Sequence, residues 1–128
     1  MKDHFPEEPF GCRCGCGLDA FDPAMRQVLN EVRADLGIPL IINCGCRCEE
    51  HNASLPNAAP NSAHLRGPDG LCHAVDIKCL WDVTRGRLLE ALQKRGIRRF
   101  EASNLHLHAD NSPFHPRPVL AAVVFREG

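Results

Sequence analysis

Apolar residues recur in two rhythms along this chain. Met25, Val28, Leu29, Val32 and Leu36 follow at three- and four-residue steps, which places them on one face of a helix. Asp22 is a fitting N-cap and Pro23 suits the first helical position, so the helix is expected to start there. Gly37 ends it and Pro39 prevents its restart. Pro39–Asn43 reads as a short buried strand. A second helix is expected over 83–95, with Leu88, Leu89 and Leu92 turned inward and Gly96 as its stop. Between the two, 73–79 has β character. Three further strands are expected at Ile97–Glu101, Leu105–Ala109 and Val119–Phe125, with a loop at Asn111–Pro118 before the last. This order predicts an α+β fold: a mostly antiparallel sheet with helices packed on one side.

The segments between these elements differ in composition. The stretch to Cys16 is rich in Gly, Pro and Cys and reads as irregular. From Asn52 to Gly70 the chain turns to Asn, Pro, Ser, Gly and Ala, a long loop of the kind that usually carries function. The 128 residues suit one domain spanning 1–128. A formal net charge of -1 offers no electrostatic footprint for nucleic acid, and the basic run Lys94–Arg99 reads as a solvated helix end. No apolar run is long enough to span a bilayer. The first residues lack the apolar core of a secretion signal. Synthesis in the cytoplasm is therefore expected, with release by another route if the protein acts in the periplasm or at the cell wall.

Eight cysteines fall as Cys12/Cys14/Cys16, Cys44/Cys46/Cys48, Cys72 and Cys79. Without a secretion signal a disulfide framework is not the default. Alternating Cys-x-Cys is also not the Cys-x-x-Cys knuckle of a structural zinc site. Burial as small hydrophobes is the preferred reading, ahead of an all-cysteine metal site. Cys72 and Cys79 flank one strand, where a disulfide or a cysteine-lined pocket are both open.

The candidate chemistry lies in the histidines and one aspartate. Leu105-His106-Leu107-His108-Ala109-Asp110 alternates with period two, which sets His106, His108 and Asp110 on one face and Leu105 and Leu107 behind it. Ala74-Val75-Asp76-Ile77 alternates too. It brackets Asp76 with buried apolar neighbours, a costly place for a carboxylate unless it is paired or bound to a metal. His64 stands in the polar loop before that strand. Two imidazoles and a carboxylate, with a fourth position open, make a catalytic zinc site. His4, His51 and His115 read as surface or satisfied histidines.

Ser62-Ala63-His64-Leu65-Arg66-Gly67 followed by Ala74-Val75-Asp76-Ile77 resembles the Ser-x-His-x-x-Gly-x-Ala-x-Asp-Ile signature of the M15 zinc peptidases. That group includes D-Ala-D-Ala carboxypeptidases and phage L-alanyl-D-glutamate endolysins, and it shares its fold with the hedgehog signalling domain. Ile42–Asn52 is similar to the family's Thr-Ser-Gly-Tyr-Arg-Cys-x-x-His-Asn segment. Phe10-Gly11-Cys12-Arg13-Cys14 resembles the opening of its phage-type members, and His108-Ala109-Asp110 its His-x-Asp strand. The resemblance implies zinc held by His64, Asp76 and His108. On the substrate side it implies Arg47 facing a carboxylate, for which a guanidinium fork is suited, and Ser62 supporting His64. An ion pair from Arg47 to Glu49 or Glu50 is the structural alternative. The implied activity is hydrolysis of an amide bond in peptidoglycan stem peptides, as a carboxypeptidase or endopeptidase, by a monomer. The rival is a zinc-stabilised binding module or phage structural component of the same fold that lacks catalysis.

The sequence departs from the family pattern in three places. Pro68–His73 is inserted between the signature's glycine and alanine, where Pro-Asp-Gly signals a turn that lets the ligands still converge. His73 is the alternative ligand if the register differs. The family's acid three residues before the last ligand is Leu105 here, which leaves Glu101 as the candidate general base. His106 is the candidate for stabilising the oxyanion or the departing group. The family's tyrosine is replaced by Cys46.

Overall fold

A computed structural model describes residues 2–56, 58–79, 82–103 and 105–115. The elements run α1 (Pro23–Leu36), β1 (Ile42–Cys44), α2 (Glu49–Ser54), β2 (Ala74–Lys78), α3 (Asp82–Lys94), β3 (Arg99–Ala102) and β4 (His106–Asp110). The strands form one antiparallel sheet in the order β1-β2-β4-β3. The α+β expectation holds. The strand expected at 119–125 lies outside the described residues, as does the end of the loop before it. Among the described residues no helix is long and apolar enough to cross a membrane.

The ends of α1 are set by the residues that predict them. The Asp22 carboxylate accepts from the Ala24 N–H at 3.1 Å, and Gly37 takes the left-handed φ of 67° that closes the helix. At the end of α3 the Gly96 N–H donates to Gln93 O and the Ile97 N–H to Leu92 O, the paired bonds of a Schellman turn. Ile97 is the buried apolar residue of that turn, so β3 starts at Arg99 rather than at 97.

Two other expectations are corrected. Ile41 is exposed, and β1 covers only Ile42–Cys44 at the sheet's edge. Leu105 is 60% exposed because it sits in the β3–β4 hairpin turn, where Ser103 Oγ accepts from both the Leu105 and His106 N–H groups. Only Leu107 of that pair packs behind the sheet.

Alternation divides the sheet into two faces. Val75 and Ile77 of β2, Leu107 and Ala109 of β4 and Phe100 of β3 meet Met25, Leu29, Val32, Leu88 and Leu92 from the helices. The opposite face carries Asp76, Glu101, His106, His108 and Asp110. Cross-strand register sets His108 opposite Asp76 on one side and Glu101 on the other. The irregular N-terminal segment contributes Phe5 and Phe10 to the core, with Phe10 stacked on Phe21 at 4.2 Å between centroids.

Gly45 is where that segment crosses the chain after β1. Cys46 N–H donates to Phe10 O at 2.7 Å, and a Cβ on Gly45 would stand 2.6 Å from the same oxygen and 2.8 Å from Phe10 Cα. The obstructing atoms are backbone and cannot swing aside. Gly45→Ala is expected to cost roughly 1–3 kcal/mol in urea unfolding; an unchanged midpoint would show that the two segments are not in contact.

Candidate metal centre

Asp76 lies in the middle of β2 and is 7% exposed. Its Oδ1 is 3.1 Å from His64 Nε2 and 3.0 Å from His108 Nδ1. The three expected ligands therefore meet, with one carboxylate oxygen between two imidazoles whose rings stand edge to face at 5.0 Å. Each ring is oriented by its other nitrogen. His64 Nδ1 is 2.7 Å from Gly45 O, and His108 Nε2 is 2.8 Å from Asp110 Oδ2. Asp110 is itself fixed by Arg99 at 2.7 Å and accepts from the Ser112 N–H. Such outer contacts select which nitrogen faces a metal.

The six-residue interruption in the signature is taken up as a closed turn. Gly67 N–H donates to Leu71 O, Gly70 N–H to Gly67 O, and Gly70 adopts a φ of 82°. The turn is anchored on the start of α1 through Cys72 N–H to Ala20 O and Asp22 N–H to Cys72 O. His73 belongs to this anchor. Its Nε2 meets Asp69 at 2.7 Å and its Nδ1 lies 2.9 Å from Asn111 Oδ1 and 3.2 Å from Asp22. Both nitrogens are engaged away from Asp76, so the alternative ligand register is not adopted.

Charge at the centre is strongly coupled. Burial works against the charged form of Asp76, but His108 and His64 outweigh it and hold the carboxyl well below the usual range. Burial likewise works against an imidazolium at His64, yet Asp76 and then Cys44 raise it to about 10. His108 is also raised, with burial opposed by Asp110 and Asp76. His106 goes the other way: burial lowers it despite Asp76 nearby, so it stays a neutral imidazole. The protein thus pulls positive charge onto the two rings that face Asp76. Two imidazole nitrogens and a carboxylate oxygen are donor types that suit a divalent cation such as zinc. The donor atoms here that stand within 4.8 Å of one another are those of Cys44, His64 and Asp76, with His108 joined to them through Asp76.

Cys44 was not singled out from the sequence, and its position depends on an irregularity that sequence does not display. Ile42 pairs with Ile77 but Cys44 pairs with Asp76, so Asn43 is an extra residue in β1. The shift sets Cys44 Sγ 3.6 Å from His64 Nδ1, and one ligand atom from each of Cys44, His64 and Asp76 falls within 4.8 Å of the others. Burial raises the Cys44 thiol, but His64 and Arg47 bring it below its ordinary value.

The centre opens into a cavity of about 750 Å³ lined among others by Arg47, Ser62, Glu101, His106 and His115. Arg47 is nearly buried. Its Nη1 donates to Asn52 Oδ1 at 2.8 Å, Nε to Cys44 Sγ, and Nη2 lies 3.9 Å from Asp76 Oδ2. It is thus held by Asn52 rather than by Glu49 or Glu50. Ser62 Oγ accepts from the His64 backbone N–H at 3.1 Å, so it shapes the loop and does not touch the ring. His106 Nε2 is 3.6 Å from Asp76 Oδ2. Glu101 stands across from His108 and faces the opening. His51 and His115, read from sequence as ordinary, line the same cavity, and His115 is fixed by Ser112 and Asn61 O. Cys72 and Cys79 form no disulfide, and Cys72 hydrogen-bonds Cys46 instead.

Two outcomes follow for metal binding. Asp110→Asn removes the charged partner of His108 and is expected to weaken zinc about 10–100-fold in competition with a chromogenic chelator; unchanged affinity would mean that Asp110 plays no orienting part. A bound cation must also displace the proton on His64, which is held up to about 10. Affinity should therefore rise with pH, about tenfold per unit for each proton displaced across roughly pH 6 to 8, and calorimetry in different buffers should register proton release. A flat profile would contradict this.

A family model described as Peptidase M15 matches residues 3–110, a span that takes in every helix and strand of the described residues and all three candidate ligands. Searches of curated proteins and of solved structures give no match. By the extent of that family match, the chain belongs to the peptidase M15 family of metallopeptidases.

Proposed function

We propose that this protein is a zinc peptidase that hydrolyses an amide bond in peptidoglycan stem peptides, as a carboxypeptidase or endopeptidase. The observation that carries the reading is the meeting of His64 Nε2 and His108 Nδ1 on one oxygen of Asp76 at the base of an open cavity. These three residues would hold the ion. Bound zinc supplies Lewis acidity toward water and toward the scissile carbonyl.

The remaining steps fall to side chains on the cavity wall. Glu101 takes a proton from the attacking water and returns it to the departing amine. Its place opposite His108 puts it beside the centre, and its exposure leaves it free to exchange that proton. His106 is neutral and carries an N–H donor, suited to the carbonyl oxygen as negative charge grows there. Arg47 lines the cavity with Nη1 held by Asn52, Nε by Cys44 and Nη2 beside Asp76, so its guanidinium is already oriented where a substrate carboxylate would be met. Ser62 keeps the loop that delivers His64 in shape.

Digestion of purified peptidoglycan by the zinc-loaded protein tests this. Glu101→Gln should keep zinc and lose about 10²–10⁴ in kcat, whereas His108→Ala should lose both zinc and activity. Release of terminal D-Ala alone identifies a carboxypeptidase, and cleavage within the stem an endopeptidase. If wild type and Glu101→Gln are equally inert with zinc bound, the hedgehog-like binding module replaces the enzyme.

A further inference from the structure

A second cluster of potential ligands lies outside the centre just described. Cys12, Cys14 and Cys16 come from the N-terminal segment and Cys48 from the residue before α2. One sulfur from each lies within 4.8 Å of all the others. Cys12 Sγ and Cys14 Sγ are 3.4 Å apart, and Cys14 Sγ and Cys48 Sγ 3.6 Å. A disulfide would need about 2.05 Å. Four sulfurs around one zinc at about 2.3 Å would stand about 3.8 Å apart along each edge of the tetrahedron. The observed separations match the second arrangement. We propose that Cys12, Cys14, Cys16 and Cys48 form a second, structural metal site that takes a tetrahedral thiophilic cation, zinc above all.

The backbone around the cluster is shaped for it. Gly15 and Gly17 adopt φ values of 83° and 88°, and Cys12 N–H donates to Leu18 O at 2.8 Å, so the segment folds back on itself. That turn gathers three cysteines that a plain extended strand would spread along its length. Amide donors already point at the sulfurs: Cys48 N–H at Cys12 Sγ and His51 N–H at Cys48 Sγ, each at 3.4 Å. Such N–H contacts stabilise metal-bound thiolates. Four thiolates close the coordination sphere, so this ion would hold structure and carry no reaction. It would tie the N-terminal segment, whose Arg13 bonds Ile42 O at 2.6 Å, to the turn that carries Arg47.

The test uses full-length protein, reduced with a phosphine and loaded with zinc or cobalt. Wild type should take up roughly two ions per chain. Cys14→Ser/Cys16→Ser alters the two exposed thiols, so the core is spared. That variant should bind one ion and lose the intense thiolate-to-cobalt charge-transfer absorption. His108→Ala should also bind one ion but keep that absorption. Should the double variant fail to fold, X-ray absorption on zinc-loaded His108→Ala decides instead, with a shell of sulfur neighbours alone expected. The proposal is overturned if wild type binds a single ion that His108→Ala abolishes. It is equally overturned if Cys14→Ser/Cys16→Ser keeps both ions and the absorption, or if mapping of unreduced protein finds Cys14 in a disulfide.

Discussion

The constraint on which the rest depends is a carboxylate in the middle of a sheet. Asp76 is flanked along β2 by Val75 and Ile77, which anchor that strand in the core, so it cannot leave its position. A buried carboxylate without compensation is strongly unfavourable. The fold answers with His64 from one side, His108 from the next strand, and Arg47 near the second oxygen. Much of the surrounding structure serves these contacts: the Gly45 carbonyl that orients one ring, the Asp110 carboxylate that orients the other, and Arg99 that fixes Asp110 in turn.

This arrangement explains why the same residues suit a metal. Protons held on His64 and His108 neutralise Asp76, and a divalent cation does the same work with more charge in one place. The polar sheet face and the apolar one follow from a single alternation, so the centre and the hydrophobic core are two sides of the same strands. Packing of α1 and α3 fixes the strands, and the strands fix the ligands. The family match across these elements is consistent with that economy, since a metallopeptidase requires such a rigid floor beneath an open cavity.

Much of this was legible in the sequence where local rules apply. Period-two alternation placed His106, His108 and Asp110 together, and Asp22, Gly37 and Gly96 marked helix ends through capping chemistry. The convergence of His64 with Asp76 was carried by the motif resemblance, because the interposed turn hides it from any spacing argument. What escaped depends on irregular backbone. Ile97 resembles a strand residue in sequence because a buried apolar side chain looks the same in a helix cap. Leu105 resembles a core residue in sequence because the alternation of β4, which begins at His106, extends one residue further in the sequence than in the strand. Cys44 reaches the centre through a bulge, and Cys12, Cys14 and Cys16 join Cys48 only after a glycine-permitted turn. Neither leaves a periodic trace.

In the proposed enzyme His64, Asp76 and His108 hold one zinc ion. Anomalous diffraction from crystals of zinc-loaded protein, collected on both sides of the zinc absorption edge, tests it most directly. A peak is expected at a point bounded by the His64 Nε2, His108 Nδ1 and Asp76 carboxylate atoms. Imidazoles still hydrogen-bonded to Asp76 in a fully loaded crystal, with no peak between them, would contradict it.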